Sequence, residues 1–312
     1  MTNEAIQGSN MKRSAVILGF LAMMASTPGV AQETVSNPDI VMDLKWELGS
    51  WTDIWEIETF KSDAAGSDVS YYIYLPRDYE KGSQRYPVVY WFHGAFERPY
   101  SATPVVKRLD SAIRMGEAPE MIVVSCIDPT GLSMWTNSKD GRLPMETILT
   151  EELIPHIDAN YRTISDRSGR AIEGFSMGGY GAAYLGIKYN ELFSSVSVLA
   201  GALHTPETFR ERRRTIFDNV FSGDAEYARE RSPWTVLQEN ADVVRGKTSF
   251  RVFVGADDGL LTWNSNYHDM LDELNIENEW GVVPDSPHDL EILMRNWEGN
   301  YFDYYQRVFG EE

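Results

Sequence analysis

Gly174, Ser176 and Gly178 stand in the pattern G-x-S-x-G, and no other feature of the sequence constrains the fold as strongly. The pattern is typical of a nucleophile elbow, a sharp strand-to-helix turn that holds a serine in strained backbone geometry. Both glycines are needed because a side chain at either place would collide with the neighbouring strand or helix. Residues 170–173 predict a short strand before the turn, and residues 182–188 predict a helix after it. A glycine-rich turn without chemistry is the alternative.

Strands and helices alternate along the rest of the chain. Residues 55–60 and 69–75 alternate apolar and polar side chains and predict an antiparallel hairpin. The apolar run 86–92 predicts a strand covered on both faces. Further strands are predicted at 121–126, 194–199, 250–255 and 279–283, and helices at 103–115, 145–160, 265–274, 290–308 and within the charged stretch 205–248. This order predicts an α/β fold: a mostly parallel central sheet with helices on both faces and an antiparallel N-terminal edge.

The N-terminus resembles a secretory signal. Lys12 and Arg13 precede an apolar run at 15–24, and small residues follow up to Ala31. The run is too short to span a bilayer, so we expect a signal peptide over 1–31, with 1–10 as an upstream extension before Met11. Residues 32–312 are then expected to form a single α/β domain in a periplasmic or secreted protein.

The chain is acidic, with a formal net charge of -19 and a pI of about 4.7. This charge argues against nucleic acid and anionic membrane surfaces as partners. The one cysteine, Cys126, ends the predicted strand 121–126, which predicts a buried structural thiol and excludes an internal disulfide. No group of Cys, His and carboxylate residues has the spacing of a zinc site, and neither a metal nor a cofactor is expected. The sequence makes no prediction of oligomeric state.

His288 is the best candidate for a base that would activate Ser176. Ligands bind at the carboxyl ends of the strands in sheets of this kind, and His288 follows the last predicted strand. His156 and His268 fall inside predicted helices. His204 follows a strand and could line the pocket, but it precedes any candidate acid.

Asp257 and Asp258 both follow the strand that ends at Gly255. Thirty residues separate Asp258 from His288, which leaves room for one helix and one strand and gives the chain order Ser, Asp, His. Asp258 is favoured as the acid, and Asp257 as a turn or capping residue. A turn with a helix cap and no catalytic role is the alternative for the pair.

The backbone N–H groups of Ala95 and Met177 are the candidate donors of an oxyanion hole, because both follow predicted strand ends. His93 is expected to fix the first of these turns by hydrogen bonding. Glu97 is either a substrate contact or a solvated loop carboxylate. Trp135 is either a stacking surface for an aryl or sugar ring or a packing residue.

Several ordered segments make the chain resemble the putative-esterase family of α/β-hydrolases, which includes feruloyl and other carbohydrate esterases. They are residues 72–76, 86–94, 152–162, 170–182, 255–260 and the region of His288. The resemblance implies an α/β-hydrolase fold, a triad of Ser176, Asp258 and His288, and oxyanion donors at Ala95 and Met177. The chain departs from the family at Pro287, where glycine is usual, and at Leu290, where an aromatic residue is common.

The expected function is that of an exported serine carboxylic-ester hydrolase that works through an acyl-enzyme. The expected substrate is a feruloyl- or acetyl-type carbohydrate ester. A siderophore esterase of the enterochelin type and an acyltransferase remain alternatives. A catalytically inactive binding module on the same fold is the alternative outside enzymes.

Overall fold

The computed structural model describes residues 54–97 and 99–310. The predicted signal peptide lies outside these residues. Eight strands form one sheet: β1 Glu56–Ser62, β2 Ser67–Tyr74, β3 Val88–Phe92, β4 Ile122–Cys126, β5 Arg170–Phe175, β6 Ser195–Leu199, β7 Ser249–Gly255 and β8 Asn278–Val283. Every predicted strand is therefore present, with its ends shifted by at most a few residues.

The strand order is β1-β2-β4-β3-β5-β6-β7-β8. β1 pairs with β2 and β2 with β4 in antiparallel fashion, while all the pairs from β4 to β8 are parallel. The predicted α/β fold class, with a mostly parallel sheet and an antiparallel N-terminal edge, is confirmed. Because β3 to β8 are parallel, their carboxyl ends meet at one edge of the sheet, where the candidate site lies.

Helices follow most of the strands. Their bounds are α1 Thr103–Met115, α2 Met145–Thr147, α3 Ile154–Asn160, α4 Met177–Lys188, α5 Pro206–Arg212, α6 Arg214–Asn219, α7 Ala225–Glu230, α8 Pro233–Val244, α9 Leu261–Glu273, α10 Leu290–Asn296 and α11 Asp303–Phe309. A π-helical turn at Ile148–Leu153 joins α2 to α3, so the predicted helix 145–160 is one helical path with a wider turn inside it. None of the described helices is long and apolar enough to cross a membrane.

Two hydrophobic layers cover the two faces of the sheet, and β3 shows why. Its alternate residues Val88, Tyr90 and Phe92 pack with α4 and its neighbours, while Val89 and Trp91 pack with α1, α10 and α11. A strand buried on both faces needs apolar side chains at every position, which explains the continuous run in the sequence.

The predicted helix 290–308 is wrong as a single element. The chain leaves the helical path after Asn296 and returns to it only at Asp303. Gly299 between them has φ 79°, a left-handed conformation that no continuous helix contains. Trp297 stacks on Phe253 of β7 with ring centroids 4.1 Å apart, so core packing of this tryptophan holds the break in place.

Candidate active site

Ser176 lies between the end of β5 and the start of α4. Its backbone has φ 58° and ψ -116°, a conformation that non-glycine residues rarely adopt. Two backbone hydrogen bonds hold this strained residue: Ser176 N–H donates to Leu199 O at 2.9 Å, and Ala202 N–H donates to Ser176 O at 2.8 Å. The residues on either side are buried and Ser176 is partly exposed, so the turn presents this side chain to solvent.

Close backbone approach explains the two glycines of the pattern. A Cβ on Gly174 would lie 2.2 Å from the backbone of Gly178. A Cβ on Gly178 would lie 1.9 Å from Phe92 O, at the end of β3. Both distances are far inside van der Waals contact, so the first turn of α4 can sit against β3 only when these positions lack side chains.

His288 joins Ser176 to Asp258 through its two ring nitrogens. Nε2 lies 2.8 Å from Ser176 Oγ, and Nδ1 lies 2.7 Å from Asp258 Oδ2. An ionised carboxylate can only accept, so Nδ1–H donates to Asp258 and leaves the lone pair of Nε2 to accept from the serine hydroxyl. This is the tautomer that a proton-accepting histidine needs.

Asp258, and not Asp257, is the carboxylate that contacts His288. Its side chain is 1% exposed, and its other oxygen, Oδ1, accepts from Leu260 N–H at 2.8 Å. Asp257 is exposed, and its backbone N–H donates to Ser286 O at 3.1 Å. Asp257 therefore links the loop after β7 to the loop that carries His288, while Asp258 contacts the imidazole.

The ring of His288 is held from one face. It stacks on Phe175 with centroids 4.8 Å apart and planes 25° apart. Its loop is closed by Asn296, whose side chain donates to Asp285 O at 2.8 Å. The His288 side chain is still 37% exposed, so the imidazole borders solvent beside Ser176.

The turn after β3 is organised by His93. Nδ1–H of His93 donates to Gly94 O at 2.8 Å, and Nε2 accepts from Asp128 N–H at 3.1 Å. The Glu97 carboxylate accepts from Gly94 N–H at 2.9 Å, which ties the turn back onto itself. Ala95 sits in this turn, and Met177 is the first residue of α4, where a helix N–H has no intrahelical acceptor. Both predicted oxyanion donors thus lie at the same edge of the sheet as Ser176.

Trp135 lies in the core, with 0% of its surface exposed. Its ring stacks on Phe92 at 4.4 Å, and its Nε1–H donates to His93 O at 3.2 Å. A Cβ on Gly181 would reach 2.5 Å from this side chain, so α4 is also fitted to it. Of the two roles that the sequence left open for Trp135, the packing role is the one this position serves, and neither ring face is open to a substrate.

His204 is buried after the end of β6, between the edges of two aromatic rings. The centroids of Phe209 and Trp263 lie 5.6 and 5.7 Å from that of the imidazole. Burial, with a smaller contribution from the charge of Arg213, lowers the pKa of His204 to about 4. The imidazole is therefore neutral near pH 7.

The other two histidines have partners outside this site. His156 lies 3.1 Å from the hydroxyl of Tyr71 on β2. His268 stacks on Trp280 at 4.9 Å. Both pack against the sheet from their helices.

The sequence did not predict a role for Asn264, whose side chain hydrogen-bonds to the loop that follows β6. Its side chain accepts from Gly201 N–H and donates to Gly201 O, both at 2.9 Å, and it is wholly buried. The predicted helix began at 265, whereas α9 begins at Leu261, so Trp263 and Asn264 were not placed on it. An asparagine six residues beyond the aspartate pair that follows β7 was the available signal. Among residues 54–97 and 99–310, no cluster of three or more His, Cys, Asp or Glu side chains could hold a metal ion.

Comparison with known families gives a match to the model described as "Putative esterase" over residues 62–281. An endo-1,4-beta-xylanase/feruloyl esterase of Xylanibacter ruminicola is 33% identical over 177 residues, which are 54% of this chain and 24% of that protein. An esterase of Mycobacterium tuberculosis is 33% identical over 146 residues, 46% of this chain and 31% of that protein. The chain thus spans less than a third of the length of these curated relatives.

A solved structure described as a ferulic acid esterase superposes with a TM-score of 0.70 at 25% sequence identity. The alignment covers 82% of this chain and 98% of that one. The fold of this chain is therefore similar to that of nearly the whole of that protein.

Proposed function

This chain belongs to the Putative esterase family of α/β-hydrolases, and on that premise we propose that it is an exported serine carboxylic-ester hydrolase. Family membership supports esterase activity, and the proposal adds the catalytic residues, the substrate class and the export. The observation that carries it is the continuous hydrogen-bonded path from Ser176 Oγ through His288 to Asp258 Oδ2. A buried carboxylate, an imidazole of defined tautomer and a strained, partly exposed serine are what nucleophilic acyl transfer requires.

The proposed reaction starts when Ser176 Oγ attacks the ester carbonyl carbon and its proton passes to His288 Nε2. Asp258 stabilises the imidazolium that forms, and the N–H groups of Met177 and Ala95 receive the negative charge on the carbonyl oxygen. Loss of one such donor typically costs about 10²- to 10³-fold in kcat. The alcohol leaves with the proton from Nε2, and a water activated by the same imidazole then releases the acid from Ser176.

The proposed substrate is a feruloyl- or acetyl-type ester of a carbohydrate. Two observations support it: the Xylanibacter relative is named a feruloyl esterase, and the superposing structure is named a ferulic acid esterase. The open position of His288 and Ser176 fits an ester that is part of a larger molecule, because the scissile bond need not enter an enclosed cavity.

The test of the catalytic residues is hydrolysis of p-nitrophenyl acetate by wild-type protein and by Ser176→Ala. We expect kcat to fall by about 10⁶-fold, as when other serine hydrolases lose the nucleophile. Ser83→Ala, at an exposed serine between β2 and β3, is the matched control and should retain wild-type activity. Labelling by a fluorophosphonate should occur in wild type and Ser83→Ala but not in Ser176→Ala, with all three showing the same circular dichroism. Wild-type protein that neither hydrolyses small esters nor is labelled would contradict the catalytic proposal and favour a binding module.

Release assays with methyl ferulate, acetylated xylan and enterobactin test the substrate class. Release of ferulate or acetate supports the carbohydrate-ester proposal, whereas cleavage of enterobactin alone would replace it with a siderophore esterase. Inertness to all three in a protein that reacts with fluorophosphonate would favour acyl transfer to a sugar acceptor.

Export is proposed from the basic, apolar and small-residue segments that precede and include Ala31. Mass spectrometry of the protein recovered from the periplasmic fraction or the medium should give a chain that begins at Gln32. An intact N-terminus in the cytoplasmic fraction would overturn this part of the proposal.

A further inference from the structure

His204 lies at the edge of the sheet that holds the proposed catalytic residues. It follows β6, whose neighbours in the sheet are β5, which leads into Ser176, and β7, which leads into Asp258. Its backbone N–H donates to Ala202 O at 2.7 Å, and Ala202 in turn donates to Ser176 O at 2.8 Å. His204 is thus two positions along the chain from Ala202, which hydrogen-bonds to the backbone of Ser176.

The imidazole of His204 is fixed but incompletely paired. Phe209 and Trp263 contact it edge-on, with interplanar angles of 86° in both cases, and the residue as a whole is 7% exposed. Nδ1 is buried and has no hydrogen-bond partner in the described part of the chain. A buried polar atom without a partner destabilises the fold, so a purely apolar ring would be the better choice here if packing were the only requirement.

The missing partner of Nδ1 determines which nitrogen carries the proton. An unpaired buried N–H is rarer in proteins than an unpaired acceptor, which places the proton of the neutral ring on Nε2. Nε2 also makes no hydrogen bond to a described residue, but it is not among the buried unpaired atoms, so it keeps access to solvent. His204 therefore offers a neutral N–H donor that reaches solvent, on the segment after β6 in which Ala202 N–H donates to Ser176 O.

Trp263 lies next to this donor and remains partly exposed. It is on the first turn of α9, and its neighbour Asn264 ties that turn to Gly201 by two hydrogen bonds. These two hydrogen bonds join the segment after β6, which carries His204, to α9, which carries Trp263. They therefore fix the imidazole and the indole relative to each other. A donor beside a flat apolar surface suits a ring that carries an oxygen acceptor.

We propose that His204 is a specificity-determining residue, whose Nε2–H donates a hydrogen bond to an oxygen of the bound ester while Trp263 packs against the ring that carries this oxygen. The inference rests on the proposed esterase function and names the groups of the substrate that the site would recognise, an oxygen acceptor and the ring that carries it. The acceptor is either a hydroxyl or methoxy oxygen on an aryl acyl group or a hydroxyl oxygen of the sugar.

The test measures binding in a protein that cannot turn over, so that its outcome does not depend on catalysis. Dissociation constants are measured calorimetrically for methyl ferulate, methyl cinnamate and 5-O-feruloyl arabinose, in Ser176→Ala and in Ser176→Ala/His204→Phe. Phenylalanine keeps a ring that suits the aromatic surroundings and removes both nitrogens. Loss of one hydrogen bond should weaken the affected ligand by about 3- to 10-fold relative to its partner ligand.

A fall in the ferulate-to-cinnamate affinity ratio in the double variant supports the proposal and places the acceptor on the acyl ring. A fall in the ratio of feruloyl arabinose to methyl ferulate supports it and places the acceptor on the sugar. His204→Asn, which retains an N–H donor, should restore part of whichever ratio falls. Unchanged ratios, or no binding of any of the three esters to Ser176→Ala, would overturn the proposal, whereas failure of the esterase function itself appears only in the turnover of wild-type protein.

Discussion

The Glu173 carboxylate and the Arg251 guanidinium form an ion pair in the core, with Oε2 and Nη2 2.5 Å apart and both side chains 1% exposed. Glu173 also accepts from Ser197 Oγ at 2.6 Å and from Tyr305 Oη at 2.7 Å, while Arg251 donates to Tyr301 O at 2.8 Å. The pair joins β5, the strand that leads into Ser176, to β7 and to α11. Both ions are satisfied on several sides, as buried charges must be.

Removal of one partner from this pair should destabilise the protein strongly. Arg251→Met leaves the Glu173 charge buried without its counterion, and we expect the free energy of unfolding to fall by about 3–5 kcal/mol. Urea denaturation measures the change. Arg214→Met is the control, because Arg214 pairs with Asp218 on the surface, where both side chains are exposed, and such pairs contribute less than about 1 kcal/mol.

The combined variant Glu173→Leu/Arg251→Met should recover a large part of that loss, since it removes both charges together. Recovery shows that the cost of the single variant is an unpaired buried charge. A double variant as unstable as Arg251→Met would mean instead that the core requires the arginine side chain itself, whose guanidinium lies over the rings of Tyr301, Tyr304 and Tyr305.

Asp258→Asn should reduce kcat on p-nitrophenyl acetate by about 10⁴-fold with little change in stability. An amide in place of the carboxylate no longer enforces the His288 tautomer in which Nε2 accepts from Ser176, which is the effect seen in other triads. Asp257→Asn is the matched control at the adjacent position, because the Asp257 side chain is exposed and only its backbone bridges to Ser286. Equal losses in the two variants would contradict the assignment of Asp258.

The sequence predicted the sheet well because β3 to β8 are marked by local patterns. Runs such as Val88–Phe92 are apolar at every position, and glycines such as Gly178 mark close backbone contacts. These signals depend on neighbouring residues along the chain. The break between α10 and α11 was missed because it depends on Trp297 stacking on Phe253, a contact between residues 44 positions apart.

Candidate site residues were predictable only where a strand end marks them. His288 and Asp258 follow β8 and β7, so topology placed them near Ser176. The burial of Trp135 and the contact of Trp263 with His204 depend on how loops fold across the sheet edge, which no local pattern encodes. The sequence therefore identifies candidate residues of suitable chemistry, but it does not show which of them are buried packing residues and which are exposed to a substrate.

Gly178→Ala should disrupt the elbow. Its Cβ would lie 1.9 Å from Phe92 O, a backbone atom that cannot rotate away, so the first turn of α4 must shift and carry Ser176 with it. We expect a loss of stability of at least about 1–3 kcal/mol, the range for overpacked cores, together with loss of esterase activity. Gly259→Ala is the control, because no atom beyond its two chain neighbours lies within 4 Å of its Cβ position, and it should change stability by less than about 0.5 kcal/mol. A Gly178→Ala protein with wild-type melting temperature and kcat would contradict the close-packing account.

Cys126 should be inert to thiol reagents in the folded protein. It is buried in β4, and burial together with the charge of Asp128 raises the pKa of its thiol far above the physiological range. We expect no reaction with Ellman's reagent near pH 8 in buffer and one equivalent of reaction in guanidinium chloride. Rapid labelling of the native protein would mean that β4 opens to solvent much more readily than a central strand should.

The buried imidazole of His204 should make the folded protein sensitive to acid. Burial, with a smaller contribution from Arg213, lowers the pKa of His204 from 6.5 to about 4 in the folded state. Below pH 6.5 the unfolded chain binds a proton that the folded chain does not, so the free energy of unfolding falls as pH drops from about 6.5 towards about 4.

This one group should lower the free energy of unfolding by about 3 kcal/mol between about pH 7.5 and about pH 4. His204→Phe cannot take up the proton and should lose about 3 kcal/mol less than wild type over that range, measured by urea denaturation at both pH values. Parallel pH dependence in wild type and His204→Phe would contradict the lowered pKa of the His204 imidazole in the folded protein.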